Sequence, residues 1–163
     1  MKPGIDPNQF RQLIIRPALE ALGGRLWSPS AENLLMGTAA QESRLGNYIH
    51  QLGRGPAVGP FQMEPATHDD IWERYLRYKR WLNITVHEAA GIEGEEKLPA
   101  DYMIYNLRYA AAMARIHYLR VPQALPEADD IEGLAAYWKR YYNTYLGAGT
   151  VEEFIENYHR FVL

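Results

Sequence analysis

An all-α fold is predicted by three features of the sequence. Helix-start signals recur along it, apolar residues step by three and four, and only residues 47–60 resist a helical reading. A first helix covers about 8–22 and ends at Gly23-Gly24, with Pro17 inside it predicting a kink or break. Ser28-Pro29, a cap followed by proline at the first helical position, opens a second helix that reaches about Leu45 and stops at Gly46. From Asn47 to Pro60, with Gly46 at the edge, come four glycines and two prolines. That composition reads as a shaped loop, with at most a minor β element within 47–62. Thr67, with Asp70 three residues on, opens a third helix to about Leu82, and Asp69 and Asp70 are assigned to capping it. Thr85-Val86-His87-Glu88 reads as a capping box before a short helical piece, and Gly91 to Pro99 as an acidic loop. Asp101 caps a long helix to about Arg120, with Ile104, Leu107, Ala111, Ala114 and Tyr118 along one face. Asp129 or Asp130 caps another to about Tyr142, and Thr150-Val151-Glu152-Glu153 is a last capping box before Phe154, Ile155, Tyr158 and Phe161.

No linker, repeat or low-complexity tract divides the 163 residues, which are therefore read as one domain, 1–163. An apolar share of 47% against 23% charged residues excludes a disordered chain. A net charge of −3 argues against nucleic acid as a partner, and no run reaches membrane-spanning length, so no membrane insertion is expected. Arg74, Arg77, Lys79 and Arg80 fall at helical spacing among Trp72, Tyr75, Tyr78 and Trp81, the solvated side of an amphipathic helix. The aromatic residues serve packing first, and the same rings suit a sugar groove. Absence of cysteine excludes disulfides, zinc–thiolate sites and thiol nucleophiles. His50, His68, His87, His117 and His159 show no paired ligand spacing, so no metal site is expected. His50, in the 47–60 loop, is a surface histidine or a substrate contact. No phosphate loop or nucleophile elbow is present, and no cofactor is expected. The N-terminal MKPGIDPNQF has no apolar h-region, so no signal peptide is expected.

Glu42 stands out among the carboxylates. It lies seven residues after Leu35, four after Thr38 and three after Ala39, on the apolar stripe of the second helix. Burial raises a carboxyl pKa, and the negative end of the helix dipole in the last turn favours the protonated form as well. A carboxylic acid still protonated near neutral pH is the group that glycosidic cleavage requires to protonate the leaving oxygen. The alternative is a glutamate at the helix end that faces solvent or pairs with Arg44. Downstream, Gly53, Gly55 and Gly59 allow backbone to approach a ligand closely, and Gln62 suits hydrogen bonding to sugar hydroxyl or acetamide groups.

Gln41-Glu42-Ser43-Arg44 followed by Gly59-Pro60-Phe61-Gln62-Met63-Glu64-Pro65-Ala66-Thr67 resembles the paired motifs of soluble lytic transglycosylases and goose-type lysozymes. There a helix-borne Glu-Ser is followed by Gly-x-x-Gln and a Pro-x-Thr helix start. Asn106-Leu107 with the alanine-rich helix to Leu119 is similar to the third motif of that family. Ala135-Ala136-Tyr137 followed by Tyr141-Tyr142-Asn143 is similar to its Ala-Tyr-Asn-x-Gly element, with Tyr141 as the other register and the glycine arriving at Gly147. Pro65-Ala66-Thr67-His68-Asp69-Asp70-Ile71-Trp72 also resembles bacteriophage-encoded lysozyme-like proteins. The resemblance implies a lysozyme-like fold, peptidoglycan glycan strands as partner, and Glu42 as acid–base catalyst. It further implies that Ser43 supports the local hydrogen bonding and that Gln62, flanked by Gly59 and Met63, lines the groove. Tyr142 would hold the catalytic carboxyl or substrate, with Asn143 beside it. With no signal peptide, it implies synthesis in the cytoplasm and action on the cell wall after release as an endolysin, or as a component of a phage virion.

Glycoside hydrolases commonly use a second carboxylate. Between Ser43 and Met63 there is no Asp or Glu, which favours a single-acid, lytic transglycosylase route to a 1,6-anhydro product. Glu64 is the possible second carboxylate of a hydrolytic muramidase, or else a first-turn residue that favours the helix dipole. A lysozyme-like module kept for structure in a phage particle, with little turnover, is the reading from another class.

Overall fold

The computed structural model describes all residues, Met1–Leu163, and its architecture is all-α, with eight helices and no strand. Helix α1 spans 7–22. Asp6 accepts a hydrogen bond from the Gln9 N–H at 3.0 Å, and Pro7 takes the first position. Pro17 does not end this helix. The chain widens into a π turn over Phe10–Ile15 and continues through Arg16–Leu22. The carbonyl of Leu13, which Pro17 cannot serve, accepts instead from the Arg108 guanidinium at 3.1 Å.

Helix α2, Pro29–Ser43, is the centre of the molecule. Ser28 caps it by accepting from the Ala31 N–H at 3.0 Å. Residues on all its sides are buried, from Ala31 and Leu34 to Gly37, Thr38 and Ala40. Gly37 is required there, because a Cβ would run into the Phe154 ring. The helix ends through two consecutive left-handed residues, Arg44 (φ 55°) and Leu45 (φ 57°), followed by Gly46.

The loop that follows carries only isolated bridges, Val58 with His50 and with Met63. Helix α3 covers Pro65–Arg74, and a 3₁₀ turn at Leu76–Tyr78 separates it from α4, Arg80–Ala90. The expected single helix from Thr67 to Leu82 is therefore two. Its capping residues also differ. Helix α3 begins after Glu64, while Asp69 bonds His68 and Lys97, and Asp70 pairs with Arg74 and Arg120. Thr85 sits inside α4 with its hydroxyl on the Leu82 carbonyl, so no capping box forms there.

A single turn, α5 (Tyr102–Tyr105), precedes α6 (Leu107–Leu119). The cap is Asn106, accepting from the Tyr109 N–H, rather than Asp101. Helix α7, Ile131–Trp138, capped by Asp130, runs on as a π turn over Lys139–Asn143. Helix α8, Val151–Phe161, starts at the expected capping box, with both bonds between Thr150 and Glu153 made.

One face of α2 packs on α7 and α8, while α1, α4 and α6 pack together beside it, and a single hydrophobic core runs through both groups. Glu32, almost fully buried in α2, ties it to α1 by accepting from Arg11, Arg16 and the Trp27 indole. Burial alone would raise its pKa, but these donors outweigh it and hold the carboxyl down at about 2. Trp72 and His68 of α3 both bond the Tyr109 hydroxyl of α6, fixing the start of α3 against the core. No helix is long and apolar enough to cross a membrane.

Candidate active site

A groove of about 610 Å³ opens where the end of α2, the 47–63 loop, the start of α3, the end of α6 and the chain after α7 meet. Glu42 lies in it, one residue before the end of α2. The Trp138 indole N–H, itself wholly buried, donates to Glu42 Oε1 at 3.0 Å. Oε2 has no protein partner and is left to the groove. No cation pairs with this carboxyl, because Arg44 turns away to the Met1 sulfur at 2.8 Å. Burial therefore dominates and pushes Glu42 up to about 7, with the Trp138 bond opposing the rise. At neutral pH the group is poised between acid and base.

Two tyrosines shape this corner. The Tyr48 hydroxyl donates to the Glu42 backbone carbonyl at 2.7 Å, satisfying one of the open carbonyls at the helix end. The Tyr142 hydroxyl donates to the Phe61 carbonyl at 2.7 Å, tying the π turn to the loop, and its ring stacks on Tyr118. Burial raises the Tyr142 pKa, so it remains a neutral donor. Tyr142 and Trp138 are four residues apart on the wall that faces Glu42. Tyr141, the other register of the sequence motif, packs on Tyr137 away from the groove lining. Lys139 fixes the following loop by donating to Asn143 Oδ1 and to the carbonyls of Gly147 and Gly149, at 2.7, 3.0 and 2.6 Å.

Six of the sequence-predicted site residues line this groove: Glu42, Gln62, Met63, Glu64, Tyr142 and Asn143. Gln62 donates to the Gly59 carbonyl at 2.9 Å, which leaves its side-chain oxygen as an acceptor. Glu64 sits at the mouth, exposed, and makes no cap bond to α3. Ser43 and Gly59 are not substrate contacts. The Ser43 side chain is fully buried, donating to the Pro60 carbonyl at 2.6 Å and accepting from the Gly46 N–H at 2.8 Å. It joins the end of α2 to the loop. Gly59 (φ 78°) is buried against Met103, whose carbonyl oxygen would lie 2.6 Å from a Cβ. His50 is exposed and outside the groove lining.

Sequence reading did not single out Trp138, Tyr48, Thr144 or His117. Trp138 had a signal, since it lies one turn before Tyr142 on the same helix. His117 had none. Its Nδ1 accepts from Arg120 at 3.1 Å, its ring meets the edge of Tyr142, and it lines the groove. Burial first, and then the Arg120 charge, lower its pKa to about 4. All four non-glycine residues with positive φ belong to this region: Arg44 and Leu45 at the end of α2, and Gln62 (φ 47°) and Thr144 (φ 65°) in the groove lining. Backbone in sparsely populated conformations concentrates where a site demands it. No three His, Asp or Glu side chains converge as a metal-binding group. Comparisons with family models, with curated proteins and with solved structures find no match to this chain.

Proposed function

We propose that this chain is a peptidoglycan-cleaving glycosidase of the lytic transglycosylase type, lysozyme-like in fold, with Glu42 as its single acid–base. The observation that carries the reading is the Glu42 carboxyl: raised to about 7 by burial, fixed at one oxygen by Trp138, and open to the groove at the other. The motif resemblance through Glu42-Ser43 and Gly59 to Thr67 adds the substrate class, the β-1,4 bond between N-acetylmuramic acid and N-acetylglucosamine.

In this reading protonated Glu42 delivers its proton to the glycosidic oxygen as the C1–O bond breaks. The N-acetyl carbonyl of the same sugar stabilises the cationic centre. Glu42, now a carboxylate, takes the proton of the C6 hydroxyl, whose oxygen closes on C1 to give the 1,6-anhydro product. Atoms balance without water, and the acid is restored. Neutral Tyr142 and the Gln62 side chain border the reacting sugar. The protein is made in the cytoplasm and reaches the wall after release through a membrane lesion or as part of a phage particle.

Glu64 supports one other outcome, because it also lines the groove and is not spent on capping α3. A carboxylate there that activates water would give a hydrolytic muramidase. Mass spectrometry of soluble products from purified peptidoglycan, with wild type and Glu42→Gln side by side, separates the cases. Anhydro-muropeptides from wild type alone are expected. Reducing-end muramic acid would assign hydrolysis and direct attention to Glu64. No release by a folded protein from several wall types would overturn the enzyme reading in favour of a structural module.

A further inference from the structure

His117 is the groove residue to which the reaction above gives no task. We propose that it is a substrate-positioning residue, a neutral imidazole whose Nε2–H donates to an oxygen acceptor of the bound glycan. The inference rests on the glycosidase reading for the identity of the ligand, and on local geometry for the rest.

The geometry fixes the tautomer. Arg120 Nη2 donates to His117 Nδ1 at 3.1 Å, and a guanidinium is never an acceptor, so Nδ1 must offer its lone pair. Arg120 is itself held by Asp70, whose Oδ2 accepts from Nη1 at 2.9 Å. With Nδ1 occupied as acceptor, the ring proton resides on Nε2. No protein acceptor meets Nε2, and the atom is not sealed from solvent. Since the residue lines the groove and Nε2 is both unpaired and accessible, this donor is available to a ligand bound there.

The electrostatics agree. Protonation of the ring would set two cations against each other, and burial and the Arg120 charge hold His117 neutral down to about pH 4. The groups facing it are Arg120 and Asp70 behind, and the neutral Tyr142 ring at 5.0 Å on the groove side. The Asp70–Arg120–His117 chain thus orients a donor without placing a formal charge in the groove. Such a donor suits an acetamide or hydroxyl oxygen of an N-acetylated sugar. A histidine that only packed against Tyr142 would need neither a fixed tautomer nor a guanidinium aimed at its inner nitrogen.

The test uses the full-length protein and a soluble tetrasaccharide of alternating N-acetylglucosamine and N-acetylmuramic acid as probe. ¹⁵N NMR of the labelled imidazole reports the tautomer without reference to activity, and Nε2–H in free protein is expected. Binding is then measured by calorimetry in a Glu42→Gln background, which prevents turnover, with and without His117→Phe and His117→Gln. The phenylalanine variant is expected to bind about tenfold more weakly, as loss of one hydrogen bond that leaves an acceptor unpaired requires. The glutamine variant, which keeps a donor amide, is expected to recover most of that loss. In the otherwise wild-type enzyme, KM should rise by a similar factor while kcat changes little. An Nδ1–H tautomer, or a folded His117→Phe protein that binds as tightly as its parent, would overturn the proposal. Absence of any probe binding with His117 intact, despite the expected tautomer, would instead remove the glycosidase reading and the ligand assigned here with it.

Discussion

Replacing Glu42 with glutamine should make the protein more stable at alkaline pH, by an amount set by how its environment treats the charge. The carboxyl moves from the ordinary 4.5 to about 7 on folding, because burial penalises the ionised form. A raised pKa means that the native state holds the proton more tightly than the unfolded chain. The resulting stability is fully present below about pH 4.5 and lost as pH rises through 7. At about 1.4 kcal/mol per pH unit, the loss between pH 5 and pH 8 is about 2–3 kcal/mol. Glutamine is nearly isosteric with the protonated acid, can still accept from Trp138, and does not titrate. Urea unfolding of both proteins at pH 5 and pH 8 should therefore show curves that nearly coincide at the lower pH and separate at the higher one. Other titrating groups cancel in the comparison, since both proteins carry them. Curves that stay parallel, or a glutamine variant less stable at pH 8, would refute the assignment of Glu42 as a desolvated acid.

Trp138→Phe removes the donor that opposes the rise, so the Glu42 pKa should climb by about one unit. The alkaline limb of activity should move up with it, and ¹³C NMR of the carboxyl checks the shift directly. Glu32→Gln should cost about 2 kcal/mol at pH 6, less than a fully enclosed pair because Arg16 is 41% exposed. The Glu32 pKa is lowered on folding, so its contribution exists above about pH 4.5 and disappears as pH falls toward 2, and acid denaturation of the two proteins should converge there. Gly59→Ala should destabilise by at least about 2 kcal/mol, since it combines a positive φ with a collision against the Met103 carbonyl. Gly53→Ala, at a similar φ but in open space, should cost only about 1 kcal/mol in the same thermal melts.

Helix capping shows where the sequence could be read and where it could not. Ser28, Asp130 and Thr150 each bond a backbone N–H three residues on, and all three were legible because the signal is local. The expected helix at 67–82 is two because Tyr75 leaves helical backbone (φ −132°, ψ −67°), whereas the aromatic and basic residues keep a helical spacing across it. Pro17 predicted a kink or break. The helix carries a π turn over Phe10–Ile15 just before it but does not break, and Arg108, far away in sequence, takes up the carbonyl left free. No local pattern carries that information. The Thr85 and Asp101 capping signals failed in the same way, as neighbouring turns of helix supplied the bonds instead.

The site divides along the same line. Glu42 could be placed on the buried face of α2 from its spacing to Leu35, Thr38 and Ala39, and the two left-handed residues after Ser43 explain how the chain leaves that helix while keeping the carboxyl at a groove. What fixes one of its oxygens, however, comes from 96 residues downstream, in the Trp138 indole, a partner with no signal local to Glu42. The π turn after Trp138 brings Tyr142 and Asn143 to the same wall, and Lys139, with no carboxylate partner, holds the loop through three oxygens. Those choices sacrifice regular helix geometry and set a cation among neutral acceptors. A wall maintained only for packing would have no reason to keep a lone carboxyl unpaired, desolvated and accessible on one oxygen. The combination of stability lost at Glu42 and backbone strain gathered around it supports the reaction centre proposed at this groove.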